Sequence, residues 1–213
     1  MTGLDKAARL YSRIEHQADA TIHVLGVAFA LAASVWLLTH VSGAATVAAV
    51  SVYCTGLLAM IMASAAYNLA PGGTLKDILR RFDHSAIFVM IAATYTPFAA
   101  DRLGYPVGDM ILALVWSAAA AGVALKMLFP RRFEKVSIAL YLAMGWLIVT
   151  AIKPLAASVA AVDFWLLIVG GLIYSAGVAF YLIERIPFHK AIWHGFVLAA
   201  AVLHFAAIAI EFT

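Results

Sequence analysis

The sequence predicts an all-α integral membrane protein, a bundle of seven transmembrane helices with its N-terminus in the cytoplasm and its C-terminus outside. Three observations carry that expectation. The 213 residues are 65% hydrophobic, with a mean hydropathy of +0.99. Only 12% are charged, where a soluble domain carries about a quarter. The apolar residues are also gathered into runs near or above the roughly 18 residues that read as a membrane-spanning helix.

In chain order the runs are Ala20–Leu38, Ala44–Leu69, His84–Ala100, Val107–Phe129, Val136–Ala151, Phe164–Leu182 and Ala191–Phe212. Polar or helix-breaking stretches separate them: HVSG, APGG, DRLGYP, PRRFEK, KPLAAS and ERIPFHK. The fifth run is the shortest and recruits Lys153 as a snorkelling end. Residues 1–19 precede the first run as a cytoplasmic segment, and residues 20–213 form a single transmembrane domain. Within the segment Leu4, Ala7, Ala8, Tyr11, Ile14 and Ala18 recur at helical spacing. That pattern suits either an amphipathic helix at the inner interface or a solvated lead-in.

Orientation follows from the basic residues. Twelve of the fourteen Lys and Arg fall before the first run or in or flanking the second-to-third, fourth-to-fifth and sixth-to-seventh connections. Arg102 and Lys153 fall on the other side. Such an excess marks the cytoplasmic face, and it explains the basic pI without nucleic acid. Cys54 is the sole cysteine, so no intrachain disulfide forms. The N-terminus lacks the apolar core and cleavage pattern of a secretory signal.

This topology gathers polar residues at the cytoplasmic end. Ser64 and Asn68 close the second span one turn apart. Asp83 and His84 open the third, and Lys190 and His194 open the seventh, again one turn apart. Glu15, Asp19 and His23 enter the first span at a spacing of four, hence along one face. Ionisable residues within spans are costly and mark function by default. Each also has a structural reading. Asp83 suits a cap of the third helix, Ser64 a bond within the membrane, and His204, mid-span, a neutral hydrogen-bonded core residue.

SAAYN, LRRFDHSAIFVMIAATYTPF and IPFHKAIWHGFVLAAAVLHF resemble the signature blocks of the hemolysin III family, which belongs with the progestin and adipoQ receptors, including the adiponectin receptors. Glu15, Asp19, His23 and Gly26 resemble its first-span block. The resemblance implies a Ser-x-x-x-His motif ending span two, an Asp opening span three and a His-x-x-x-His motif opening span seven. In the adiponectin receptors three such histidines bind zinc beside the Asp and Ser, an arrangement suited to hydrolysis. The related superfamily includes ceramide-cleaving amidases.

Ser64, Asp83 and His194 match that pattern, whereas Asn68 and Lys190 stand where two of the three histidines are expected. An amide and an ammonium are poor zinc ligands, so no metal or other cofactor is expected. If one is present, the candidate ligands are His194, Asp83, His84 and His189. Lys190 either supplies the charge of the lost zinc by pairing with Asp83, or snorkels to the headgroups.

Three function classes follow. The first is a non-enzymatic, hemolysin III-like protein of membrane homeostasis or sensing, of a family named for cytolysis. The second is a lipid-directed amide hydrolase with an altered site, its candidates Ser64 as nucleophile and His194 with Asp83 as base. The third is a receptor-like protein holding a lipid between helices. Loss of the ligands favours a non-enzymatic role. The apolar middles of spans four to six disfavour a pore through one protomer. The expected partners are the bilayer and a lipid ligand, and the expected location is a bacterial inner membrane.

Overall fold

The computed structural model describes residues 3–183 and 185–213, with side chains from residue 12 onward. The expected pattern at Leu4, Ala7, Ala8 and Tyr11 therefore lies outside the described side chains, while Ile14 is exposed and Ala18 half-buried. The helices are α1 (Gly3–His40), α2 (Ala44–Leu69), α3 (Thr74–Asp101), α4 (Val107–Leu128), α5 (Glu134–Gly145), α6 (Ile152–Ser158), α7 (Ala161–Leu182) and α8 (His189–Phe212). A 3-10 turn, Leu147–Ala151, joins α5 to α6. No strand occurs among the described residues.

Six stretches are long and apolar enough to cross a membrane: Ser12–His40, Ala44–Leu69, Val107–Leu128, Glu134–Ser158, Ala161–Leu182 and His189–Phe212. The protein is thus an all-α, multi-pass membrane protein. Large apolar side chains point outward from several of them, among them Val24, Val35, Leu114, Trp165 and Ile210. An exposed apolar belt of this kind suits lipid.

Two boundaries differ from expectation. α1 runs unbroken from Gly3 to His40, so residues 3–19 continue the first span's helix and do not form a separate one. α3 begins at Thr74, ten residues before the apolar run, because LKDILRRFD is helical without being apolar. Asp83 is therefore deep in the helix and does not cap it.

The fifth pass is segmented, α5, the 3-10 turn and α6 together spanning 25 residues including Lys153. Gly145 and Pro154 flank the tightened turn. Proline has no N–H for the carbonyl four residues earlier, which leaves the 147–151 stretch in 3-10 geometry.

Sequence neighbours pack side by side and α8 returns against α1. α2 is the most buried helix, with Val50, Tyr53 and Leu57 wholly covered. Gly56 permits its close approach to α3, for a Cβ there would lie 2.5 Å from that of Ala93. A second core joins Phe88 of α3, Val115 and Ala119 of α4, and Met144 of α5. His204 packs as a core residue, its ring filling the space at Gly170 and its Nε2 lying 3.2 Å from the Leu167 carbonyl. At one end of the bundle Arg102 donates to Glu211, linking α3 to α8. The basic connections lie at the other end, called the basic end below.

Candidate functional site

At the basic end α1 turns a polar stripe toward α8. Glu15, Asp19 and His23 follow at one-turn intervals, and each meets α8 or the residue preceding it. The Glu15 carboxylate accepts a 2.6 Å hydrogen bond from the Phe188 backbone N–H. Phe188 itself adopts left-handed geometry, φ 59°, at the start of α8. One turn on, Asp19 Oδ1 lies 2.6 Å from His194 Nδ1. Asp19 Oδ2 lies 3.6 Å from His23 Nε2, beyond hydrogen-bond range. The His23 and His194 rings are 4.5 Å apart at an angle of 55°.

This triad is buried. Asp19 is 7% exposed, His23 5%, and the His194 side chain 12%. One donor atom from each of Asp19, His23 and His194 converges within 4.8 Å of the others. His23 Nε2, although buried, has no hydrogen-bond partner. In the tautomer where His194 Nδ1–H donates to Asp19, the ring's other nitrogen is free as a base or ligand.

Asp83 of α3 lies near Ser64 of α2 and near His194 and His23. The Asp83 side chain is 13% exposed. The structure therefore gathers Asp19, His23, His194, Asp83 and Ser64 around one centre, with Glu15 at its edge.

Asn68, Lys190, His84 and His189 are used differently. Asn68 Nδ2 donates to the Ser64 carbonyl at 3.0 Å and the Ser64 hydroxyl at 3.4 Å, turning back along its own helix. Lys190 is exposed and forms no ion pair with Asp83, so the expected pairing across α3 and α8 does not occur. Of the expected metal candidates, His84, His189 and Asp83 lie outside the group whose donors converge; only His194 belongs to it. His84 lies beside Glu134, Nδ1 to Oε2 3.7 Å, and His189 lines the mouth of the site. That mouth is an open cleft of ≈540 Å³, bordered by Glu15, Asp19, Asn68, Lys76, His189 and Lys190.

A neighbouring ionic cluster was not legible in the sequence. Glu134 on α5 accepts from Arg80 of α3 at 2.8 Å and from Lys126 of α4 at 2.9 Å. Lys126 is 2% exposed. Its place near the end of an apolar run was the sole hint that a buried partner was needed.

The donor chemistry at the two sets of positions can now be compared. The zinc pattern implied by the resemblance does not fit at residues 68 and 190, where one side chain is an amide bonded to its own helix and the other an exposed ammonium. It fits better one helix away, where a carboxylate and two imidazoles converge and one imidazole nitrogen is buried without a partner.

Fold and site together define a polytopic helical membrane protein with a polar, histidine-bearing centre toward one end of the bundle. The chain belongs to the haemolysin-III related family, whose model matches residues 12–205. It is 39% identical to the hemolysin-3 homolog of Bacillus subtilis (strain 168) over 194 residues, 90% of this chain and 91% of that one. It is 37% identical to hemolysin-3 of Bacillus cereus over 205 residues, 94% of each. The human monocyte to macrophage differentiation factor is 31% identical over 166 residues, 74% of this chain and 67% of that one. No solved structure matches the chain.

Proposed function

We propose that this is a seven-span protein of the bacterial inner membrane that serves membrane homeostasis or sensing by receiving a lipid headgroup in the basic-end cleft. The observation that carries the reading is the cleft itself: ≈540 Å³, cationic at Lys76 and Lys190, with the carboxylates of Glu15 and Asp19 deeper in. A site that holds a zwitterionic or amide-bearing headgroup needs both signs of charge and hydrogen-bonding groups at one depth. α3, 28 residues long, serves as the remaining span alongside the six more apolar stretches. The concentration of Lys and Arg at the basic end supports its assignment to the cytoplasm, with the C-terminus outside. At positions 68 and 190 the family's ligand pattern is lost.

Lipid extraction and mass spectrometry of protein purified in mild detergent tests the reading. A lipid class enriched over the surrounding membrane, and depleted in Lys76→Ala/Lys190→Ala, is expected. A lipid profile equal to that of the bulk membrane sinks it.

A second reading, lipid amide hydrolysis, is favoured by one specific observation. Asp19 holds His194 by Nδ1, which leaves the other nitrogen available as a base near Asp83. Cleavage of a ceramide-like amide by reconstituted protein, abolished by Ser64→Ala and by His194→Ala, would establish it. Turnover equal to empty liposomes would dismiss it.

A further inference from the structure

We infer that Asp19, His23 and His194 form a divalent-metal site, of zinc-type donor chemistry, rebuilt between α1 and α8 in place of the positions occupied by Asn68 and Lys190. The inference deepens the cleft reading above and rests on it only for what the metal would face.

Three independent features point to a cation. The first is the donor set. One carboxylate and two imidazoles are a recurrent protein ligand set for zinc sites that keep an open position. The second is spacing. Tetrahedral zinc with bonds of about 2.0–2.1 Å places its ligand atoms about 3.3 Å apart. Donors already within 4.8 Å of one another stand close to that spacing. The third is His23 Nε2, buried in a side chain 5% exposed and without a hydrogen-bond partner. A buried polar atom that bonds nothing costs free energy, and a metal bond relieves it.

The Asp19 carboxylate offsets one of the two charges of a divalent ion, and the cleft leaves the other to solvent or an anionic ligand. Asp19 also borders the cleft, so an ion held there has an entry path and a side open to whatever occupies it.

The sequence supplies the same logic in reverse. Asn68 on α2 and Lys190 on α8 offer no imidazole, while α1 contributes two donors one turn apart and α8 contributes His194.

The test is elemental analysis of full-length protein purified without chelators, with cobalt titration of metal-stripped protein and lipid content read on the same preparations. About one zinc per chain is expected, with nitrogen and oxygen neighbours and no sulfur by X-ray absorption. Cobalt should produce a saturable visible band. His23→Ala and Asp19→Asn should bring bound metal to background, while Asn68→Ala and Lys190→Ala keep the wild-type amount. Wild-type protein that takes up neither zinc nor cobalt overturns the site, as does wild-type metal content in His23→Ala. Should the variants fail to fold, the wild-type cobalt titration decides alone. Metal-free protein that still carries the enriched lipid overturns this inference and leaves the cleft reading standing; metal-loaded protein with bulk lipid does the reverse.

Discussion

Asp19 and His194 lie 175 residues apart in sequence and 2.6 Å apart in space. Their bond ties the beginning of the first span to the beginning of the last helix, where both side chains are about nine-tenths covered. Removing one partner of a buried hydrogen bond leaves the other unsatisfied, at a cost of about 1–3 kcal/mol. Asp19→Ala should therefore lower the thermal unfolding temperature in detergent more than Asp19→Ala combined with His194→Leu does beyond His194→Leu alone. Additive effects across that cycle would show that the two residues do not interact.

Glu15 holds the backbone just ahead of α8 by a charge-assisted bond. Such a bond contributes about 1.5–3 kcal/mol, so Glu15→Gln should weaken it and Glu15→Ala remove it. The expected readout is faster amide exchange at residues 188–192 in Glu15→Ala, with exchange in α4 unchanged. Uniform exchange in the two proteins would refute the tether.

Glu134 stands between Arg80 and the buried Lys126. Glu134→Ala should destabilise the bundle by about 3 kcal/mol, whereas Lys126→Met together with Glu134→Gln should recover much of the loss. Chemical unfolding curves of the three proteins check this. A Glu134→Ala protein as stable as wild type would remove the cluster from the list of forces that join α3, α4 and α5.

Gly56 and Gly145 make a contrasting pair. A Cβ at Gly56 collides with Ala93, whereas one at Gly145 meets nothing within 4 Å. Gly56→Ala should cost about 1–3 kcal/mol through overpacking, and Gly145→Ala should stay within about 0.5 kcal/mol of wild type. Equal stability of the two variants would mean that α2 and α3 have room to separate.

Topology is checked by labelling in intact cells. Ser12→Cys should react with a membrane-impermeant maleimide only after lysis, and Thr213→Cys before it. Cys54, 2% exposed in the core, should stay unlabelled in both. The reverse pattern would invert the proposed orientation.

Much of the fold was legible because lipid imposes a simple rule. The apolar runs from Ala20 to Phe212 are helical except at Phe129 and Trp146, since backbone polar groups in hydrocarbon must bond internally. The same rule hid the start of α3. Residues such as Arg80 and Arg81 are as helical as Phe88 but not apolar, so hydropathy saw the helix only from His84. Of the site, the Glu15–Asp19–His23 stripe was legible from its spacing of four, and His194 from its place in the last run. What α1 faces was not. Lys190 illustrates why: it stands one turn from His194 in sequence, yet its side chain lies exposed, away from Asp83. Side-chain direction at a helix end depends on the neighbouring helix, and no local pattern encodes that.

The clasp between α1 and α8 also bears on how the protein is made. α1 leaves the ribosome before α8, so the Asp19–His194 contact cannot form until α8 has been made. Until then Asp19 and His23 enter the bilayer without their partner, while the intervening helices pack. A chain truncated before α8 retains most of its apolar core but never acquires the centre. Arrival of α8 and assembly of the polar centre are, in this architecture, the same event.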